Sequence, residues 1–161
     1  MKIGIMSDSH ENKEKIIAAL DVFNSKNVEL VLHAGDIISP IMCSAFKLSR
    51  SKMIFVYGNN DGEKILLKQK IEELGFSIFT GKYEFEFSGK KIILMHEPDG
   101  LAGLVKSDYY DIIVYGHTHK IDIRNGKPFV INPGEISGLI TGDSTCCILD
   151  LNSMQNLLIK L

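Results

Sequence analysis

Short apolar runs recur along the chain, and each gives way to a cluster of polar residues. KIGIM (2–6), LVLHA (30–34) and MIFVY (53–57) are nearly unbroken apolar stretches of strand length. Between them the apolar spacing lengthens to that of a helix. Ile16, Ile17, Leu20 and Phe23 share one side of a helix over about Asn12–Asn24. Residues 40–48 read as a short helix opening at Pro40, and Glu63–Leu74 as a third helix ended by Gly75. The βαβαβα order predicts parallel strands with helices packed on the sheet.

The second half changes period. YEFEF (83–87) alternates polar and apolar, and Ser88-Gly89 turns it into KIILM (91–95) as a β-hairpin. DIIVY (111–115), IDI (121–123) and FVIN (129–132) continue the strands, with Asn125-Gly126 as a turn pair. CCILDL (146–151) and LLIKL (157–161) form a closing hairpin. A mostly β second half predicts two sheets facing each other with helices outside. No linker, repeat or low-complexity block divides the 161 residues, so residues 1–161 are expected to form one domain with its own core.

Composition narrows the function classes. The chain is 45% apolar and 24% charged, with a formal net charge of −2 and a pI near 6.2. Nothing there supplies the basic field of a general nucleic-acid binder, so phosphate would have to be met by metal ions or a local cluster. No run approaches the ~18 apolar residues of a membrane span, and polar residues begin at Ser7, which argues against a secretory signal. Cys43, Cys146 and Cys147 form no CxxC pair and are odd in number, so no disulfide framework is expected. They read as small buried side chains in a reducing, cytoplasmic setting. Cys146 and Cys147, adjacent in a strand, should point to opposite faces.

The chemistry lies at the strand ends. KIGIM leads into Ser7-Asp8-Ser9-His10, LVLH into Ala34-Gly35-Asp36, and IFVY into Gly58-Asn59-Asn60-Asp61. KIILM leads into His96, and DIIVY into Gly116-His117-Thr118-His119. In α/β sheets the carboxyl ends of strands converge on sites, so residues distant in sequence arrive at one place. Any one of these pieces alone is an ordinary turn, cap or surface pair. Together they account for four of the chain's five histidines. Carboxylate, imidazole and amide oxygen suit Mn, Fe, Ni or Zn, and a carboxylate with two oxygens can bridge a pair of ions. The remaining histidine, His33, lies inside a strand and reads as structural.

This ordered set resembles the calcineurin-like metallophosphoesterases, and more closely their small single-domain YfcE-type phosphodiesterases, over nearly the whole chain including Asn132-Pro133-Gly134. The resemblance implies an α/β fold: a four-layer α/β/β/α sandwich of two mixed sheets flanked by helices. It implies two divalent ions, manganese first with nickel, iron or zinc as alternatives, and hydrolysis of a small phosphodiester by a hydroxide the ions share. Carried over, Asp8, His10, Asp36 and His119 would hold one ion. Asp36, Asn59, His96 and His117 would hold the other, with Asp36 bridging. Asp61 would be a structural partner orienting the Asn59–Asn60 loop.

Two positions depart from that pattern. Many relatives carry His where this chain has Asn60, and that His is taken to contact phosphate and protonate the leaving group; Asn60 can donate a hydrogen bond but not a useful proton. After His96, where relatives commonly have Gly, stands Glu97-Pro98-Asp99-Gly100, in which Glu97 puts a carboxylate close to the site. A phosphomonoesterase on the same residues, and a non-catalytic scaffold like the retromer subunit of this fold, are the competing readings. A homo-oligomer is left open. Serine-hydrolase, P-loop and dinucleotide-binding loops are absent from the sequence.

Overall fold

The computed structural model describes residues 1–161. β1 (Lys2–Met6), β2 (Leu30–His33), β3 (Lys52–Val56) and β4 (Ser77–Phe79) run parallel in one sheet. Its other edge is extended by β10 (Thr145–Asp150) and β11 (Gln155–Lys160), both antiparallel to their neighbours, giving the order β11-β10-β1-β2-β3-β4. The second sheet has the order β5-β6-β7-β9-β8, built from β5 (Tyr83–Phe87), β6 (Lys90–Leu94), β7 (Ile112–Val114), β8 (Ile121–Arg124) and β9 (Phe129–Pro133). Here β6, β7 and β9 are parallel, while β5 and β8 close the edges as antiparallel hairpin arms.

Alternation along the strands builds the layers. Ile3 and Ile5 of β1, Leu30 and Leu32 of β2, and Cys147 and Leu149 of β10 face the second sheet, where they meet Ile92, Leu94, Ile112, Val114, Phe129 and Ile131. The intervening residues Met6, Val31, Cys146 and Ile148 face the other way, against helices. Cys146 and Cys147 therefore do point to opposite faces, each buried and free, and burial pushes each thiol up to about 12. The helical layer on the first sheet comprises α1 (Lys13–Ser25), α2 (Cys43–Phe46) and α3 (Lys64–Glu73). On the second sheet, Ile93, Met95, Ile113 and Val130 pack outward with Leu101 and Leu104 of α4 (Leu101–Lys106). The result is the expected four-layer sandwich.

Local departures have local causes. The predicted helix over 40–48 is a 3₁₀ turn at Pro40–Met42 followed by a four-residue α2. β4 was not foreseen, because Ser77-Ile78-Phe79 is too short to show a period. Neither was α4, whose six residues include Gly103 and bury no side chain completely. α1 begins one residue later than expected because Asn12 is its cap, accepting from the Lys15 N–H at 3.2 Å. Ile16, Leu20 and Phe23 are buried, but Ile17 is only partly so. Phe23 lies flat on Gly4, where a Cβ would sit 3.0 Å from its ring carbons, and this contact sets how closely α1 approaches β1. No helix is long and apolar enough to cross a membrane.

Candidate metal centre

The parallel strands of both sheets point the same way, and their carboxyl ends meet. Gly116 N–H donates to the carbonyl of His96 at 3.0 Å, Ile136 N–H to Ser7 at 2.9 Å, and Asp8 N–H to Gly35 at 3.0 Å, tying five loops into one floor. Glycine permits the close approach. A Cβ on Gly58 would overlap Asp36 Oδ1, one on Gly116 would lie 2.9 Å from Asp8 Oδ2, and one on Gly35 would lie 2.6 Å from His96 Nδ1. Five of the seven expected ligands, Asp8, His10, Asp36, His117 and His119, have positive φ. Such backbone strain costs on the order of 1 kcal/mol or more per residue and persists where the surroundings enforce it.

All seven expected ligand side chains converge, in two groups. In the first, Asp8 Oδ1 lies 3.5 Å from His119 Nε2 and 3.9 Å from His10 Nε2. In the second, His96 Nε2 lies 3.5 Å from Asp36 Oδ1, 2.8 Å from Asn59 Oδ1 and 3.3 Å from His117 Nδ1. Asp36 serves both groups, since its other oxygen, Oδ2, is 3.6 Å from His10 Nε2. The spacings near 3.5 Å are too long for hydrogen bonds. They match the edge of a tetrahedron, about 3.4 Å, whose corners sit ~2.1 Å from a central ion. Asp8, His10 and His119 form one set whose donor atoms fall within 4.8 Å of one another, and Asp8, Asp36 and His96 form another.

Two buried donor atoms have no partner, Asp8 Oδ1 and His10 Nε2, and both face the first group. Leaving such atoms unpaired costs about 1–3 kcal/mol each, and a cation between them removes the cost. Burial, against the hydrogen bond from Ser7, pushes the Asp8 carboxyl above its ordinary value, as expected of a carboxylate whose counter-charge is a bound ion. The donor set fits divalent metal at both groups.

Surrounding groups hold several of the expected ligands in place. His96 Nδ1–H donates to the Ala34 carbonyl at 2.7 Å and His119 Nδ1–H to Glu135 Oε2 at 3.0 Å, so both rings turn a lone pair on Nε2 into the site. Asp8 Oδ2 accepts from Ser7 Oγ at 2.5 Å and from His117 N–H at 3.0 Å, which leaves Oδ1 to face the imidazoles. Asn132 donates to Gly116 O at 2.8 Å and to Thr118 Oγ1 at 3.0 Å, pinning the His117–His119 loop.

Four residues outside the expected ligand set have clear placements. Asp61 does more than orient its own loop: it accepts from the N–H groups of Gly58, Ile37 and Ile38 at 2.7 Å and of Asp36 at 3.2 Å, clamping two strand ends together. His33 is fully buried, paired with Ser9 Oγ and the Gly35 N–H and packed on Phe46 and Phe55. Desolvation holds its pKa at about 3, so it is the structural histidine anticipated. Glu135 was missed, although it too comes after a strand, in Pro133-Gly134-Glu135. Asn60 turns its side-chain amide onto Asp36 Oδ2 at 2.8 Å and its backbone N–H onto Oδ1 at 2.9 Å.

Residues 1–154 match the model of the calcineurin-like phosphoesterase superfamily domain. The chain belongs to this superfamily. This phosphoesterase-family chain is 38% identical over 159 residues to a phosphodiesterase of Methanocaldococcus jannaschii, covering 96% of each. The solved structure of an archaeal phosphodiesterase superposes with a TM-score of 0.94 over 100% of both chains, at 36% identity. The phosphoesterase YfcE of Escherichia coli shares the fold, with a TM-score of 0.70, 21% identity, and 99% and 98% coverage.

Proposed function

We propose that this superfamily member is a phosphodiesterase that works with two divalent ions, manganese first among Mn, Ni, Fe and Zn, on a small soluble diester. The observation that carries the reading is Asp36, whose two oxygens face two separate ligand groups, one completed by Asp8, His10 and His119 and the other by the neutral donors Asn59, His96 and His117. A pair of ions held there would supply Lewis acidity for a phosphoryl oxygen and acidify a water molecule. The relatives named phosphodiesterases support the choice of diester. The absence of a thiolate among the donors supports borderline or hard ions. The three free, buried cysteines support a reducing, cytoplasmic location.

The chain's own residues do the rest. Asp8 and the rings of His96 and His119 are held from beneath by buried partners, so they need little reorganisation when charge builds at phosphorus. Asn59, Asn60 and His117 are exposed, so a phosphate reaches the centre from their side. The Asn60 amide, one N–H of which is held by Asp36, would donate its other N–H to a phosphoryl oxygen.

The test is turnover of bis(4-nitrophenyl) phosphate and 4-nitrophenyl phosphate by chelator-stripped protein reloaded with one metal at a time. Metal-dependent cleavage of the diester, two ions per chain, and its loss in Asp36→Ala and His117→Ala are expected. Diester turnover that survives both substitutions would sink the proposal. Faster turnover of the monoester would turn it into a phosphomonoesterase.

A further inference from the structure

A cavity of about 140 Å³ opens beside the metal centre, with His96 as part of its wall. Its other walls are Tyr57, Gly81, Lys82, Met95, Glu97 and Asp99, from the ends of β3 and β6 and the turn between β4 and β5. Tyr57 adjoins Gly58-Asn59, and Met95 and Glu97 flank His96, so the cavity borders the group formed by Asn59, His96 and His117. A diester bound with its phosphate over that group would have one substituent within reach of this cavity.

Size and charge define what fits. A cavity near 150 Å³ accommodates a group about as large as benzene, too small for a nucleoside. Glu97 and Asp99 are both exposed and take part in none of the chain's ion pairs or side-chain hydrogen bonds. Lys82 is the one cation in the wall, and its Nζ is engaged by the Asp99 backbone carbonyl at 2.6 Å, away from either carboxylate. The formal charge of the lining is thus −1, from two carboxylates and one ammonium, with the histidine neutral. A second phosphate is repelled from such a wall, and a compact cation is attracted.

Resting on the phosphodiesterase reading, we propose that this cavity receives the smaller alcohol of the substrate, and that Glu97 and Asp99 select one carrying a positive charge. The substrate class is a phosphodiester of a compact amino alcohol, of ethanolamine or choline size. Glu97, which sequence reading left without a role, becomes a specificity residue.

The test separates this proposal from the reading beneath it. Binding of phosphocholine and glycerol 3-phosphate to the manganese-loaded protein is measured by calorimetry, for the wild type and for Glu97→Gln/Asp99→Asn. Both ligands carry the same phosphate and differ in the charge of a small alcohol. Phosphocholine is expected to bind roughly threefold to tenfold more tightly, from one or two partly exposed ion pairs. The double variant, isosteric and without lost hydrogen bonds, should lose that preference. Equal affinities in the wild type, or a preference the variant retains, would overturn the proposal. Turnover of bis(4-nitrophenyl) phosphate in the same samples reports separately on the phosphodiesterase reading, since its failure leaves the binding comparison intact.

Discussion

Oε2 of Glu135 lies 3.0 Å from Nδ1 of His119, with the carboxylate wholly shielded from solvent. Burial alone would raise its pKa. Hydrogen bonds from Ser137, from the backbone and hydroxyl of Thr141, and from His119 outweigh that and hold it at about 2. Glu135 is therefore charged at any working pH and fixes the tautomer and orientation of the ring it holds. Glu135→Gln keeps the shape and removes the charge. It is expected to weaken metal binding at the group of Asp8, His10 and His119 by about 10- to 100-fold, with the group of Asn59, His96 and His117 little changed. Metal titration followed by native mass spectrometry would show a one-ion species in the variant. Two ions bound with unaltered affinity would remove the role assigned to Glu135.

The glycine before Asn59 acts through contact with the Asp36 carboxylate. A methyl group on Gly58 overlaps Asp36 Oδ1 and lies 2.7 Å from its Cγ, so Gly58→Ala must displace the one side chain both groups share. A fall of about 10²-fold in kcat/KM is expected from misplacement, with about 1–3 kcal/mol of lost stability from overpacking. Gly103, inside α4, has open space around its Cα and ordinary helical backbone. Gly103→Ala should gain about 0.5–1 kcal/mol with activity unchanged. Urea unfolding and diester turnover on both variants check the contrast, and opposite signs of the stability change are the expected result.

Why some of this was legible in the sequence, and some not, is visible in Asp36, Asp61 and Glu135. Asp36 ends an apolar strand after a glycine, and five such endings coincide, so convergence could be inferred from strand polarity alone. The role of Asp61 depends on four backbone N–H groups from two loops, and a sequence carries no record of which N–H groups a fold leaves unpaired. Glu135 repeats the strand–glycine–carboxylate pattern, but its strand ends in Asn132-Pro133, which reads as a turn. Among the elements, long periodic runs such as α1 were readable. β4 and α4 are short and stabilised by packing, with no period of their own.

The buried imidazole of His33 gives the fold a dependence on pH. Its pKa lies at about 3, below the ordinary 6.5, because burial disfavours the charged ring. Below pH ~6.5 the unfolded chain takes up a proton the folded chain refuses. The contribution of His33 is therefore complete above that pH and is lost progressively as pH falls toward 3. Glu135, depressed from 4.5 to about 2, adds a loss in the same direction only at lower pH, while the raised carboxyl of Asp8 opposes it. In metal-free protein, the urea midpoint should fall between pH 7 and pH 5, with a slope of up to ~1.4 kcal/mol per pH unit. His33→Gln should flatten that slope whatever its effect on stability at pH 7. A slope equal to the wild type's would assign the dependence elsewhere.

On the phosphodiesterase reading, Asn60 is expected to set which esters are cleaved well. Its amide donates to Asp36 at 2.8 Å and stands on the open side of the centre. An amide has no proton of useful acidity, so a leaving oxygen must depart with most of its charge uncompensated by the protein. Rates should therefore fall steeply as the leaving alcohol becomes more basic, from 4-nitrophenol through phenol to simple alkanols. Asn60→His supplies an imidazole that can carry a proton. It is expected to raise kcat for phenyl and alkyl leaving groups by at least about tenfold relative to 4-nitrophenyl, flattening the dependence. The same change should introduce a fall in rate at high pH for the poor leaving groups alone, as the imidazolium deprotonates. Parallel slopes for wild type and variant across the leaving-group series would show that departure of the alcohol is not limited by its protonation at residue 60.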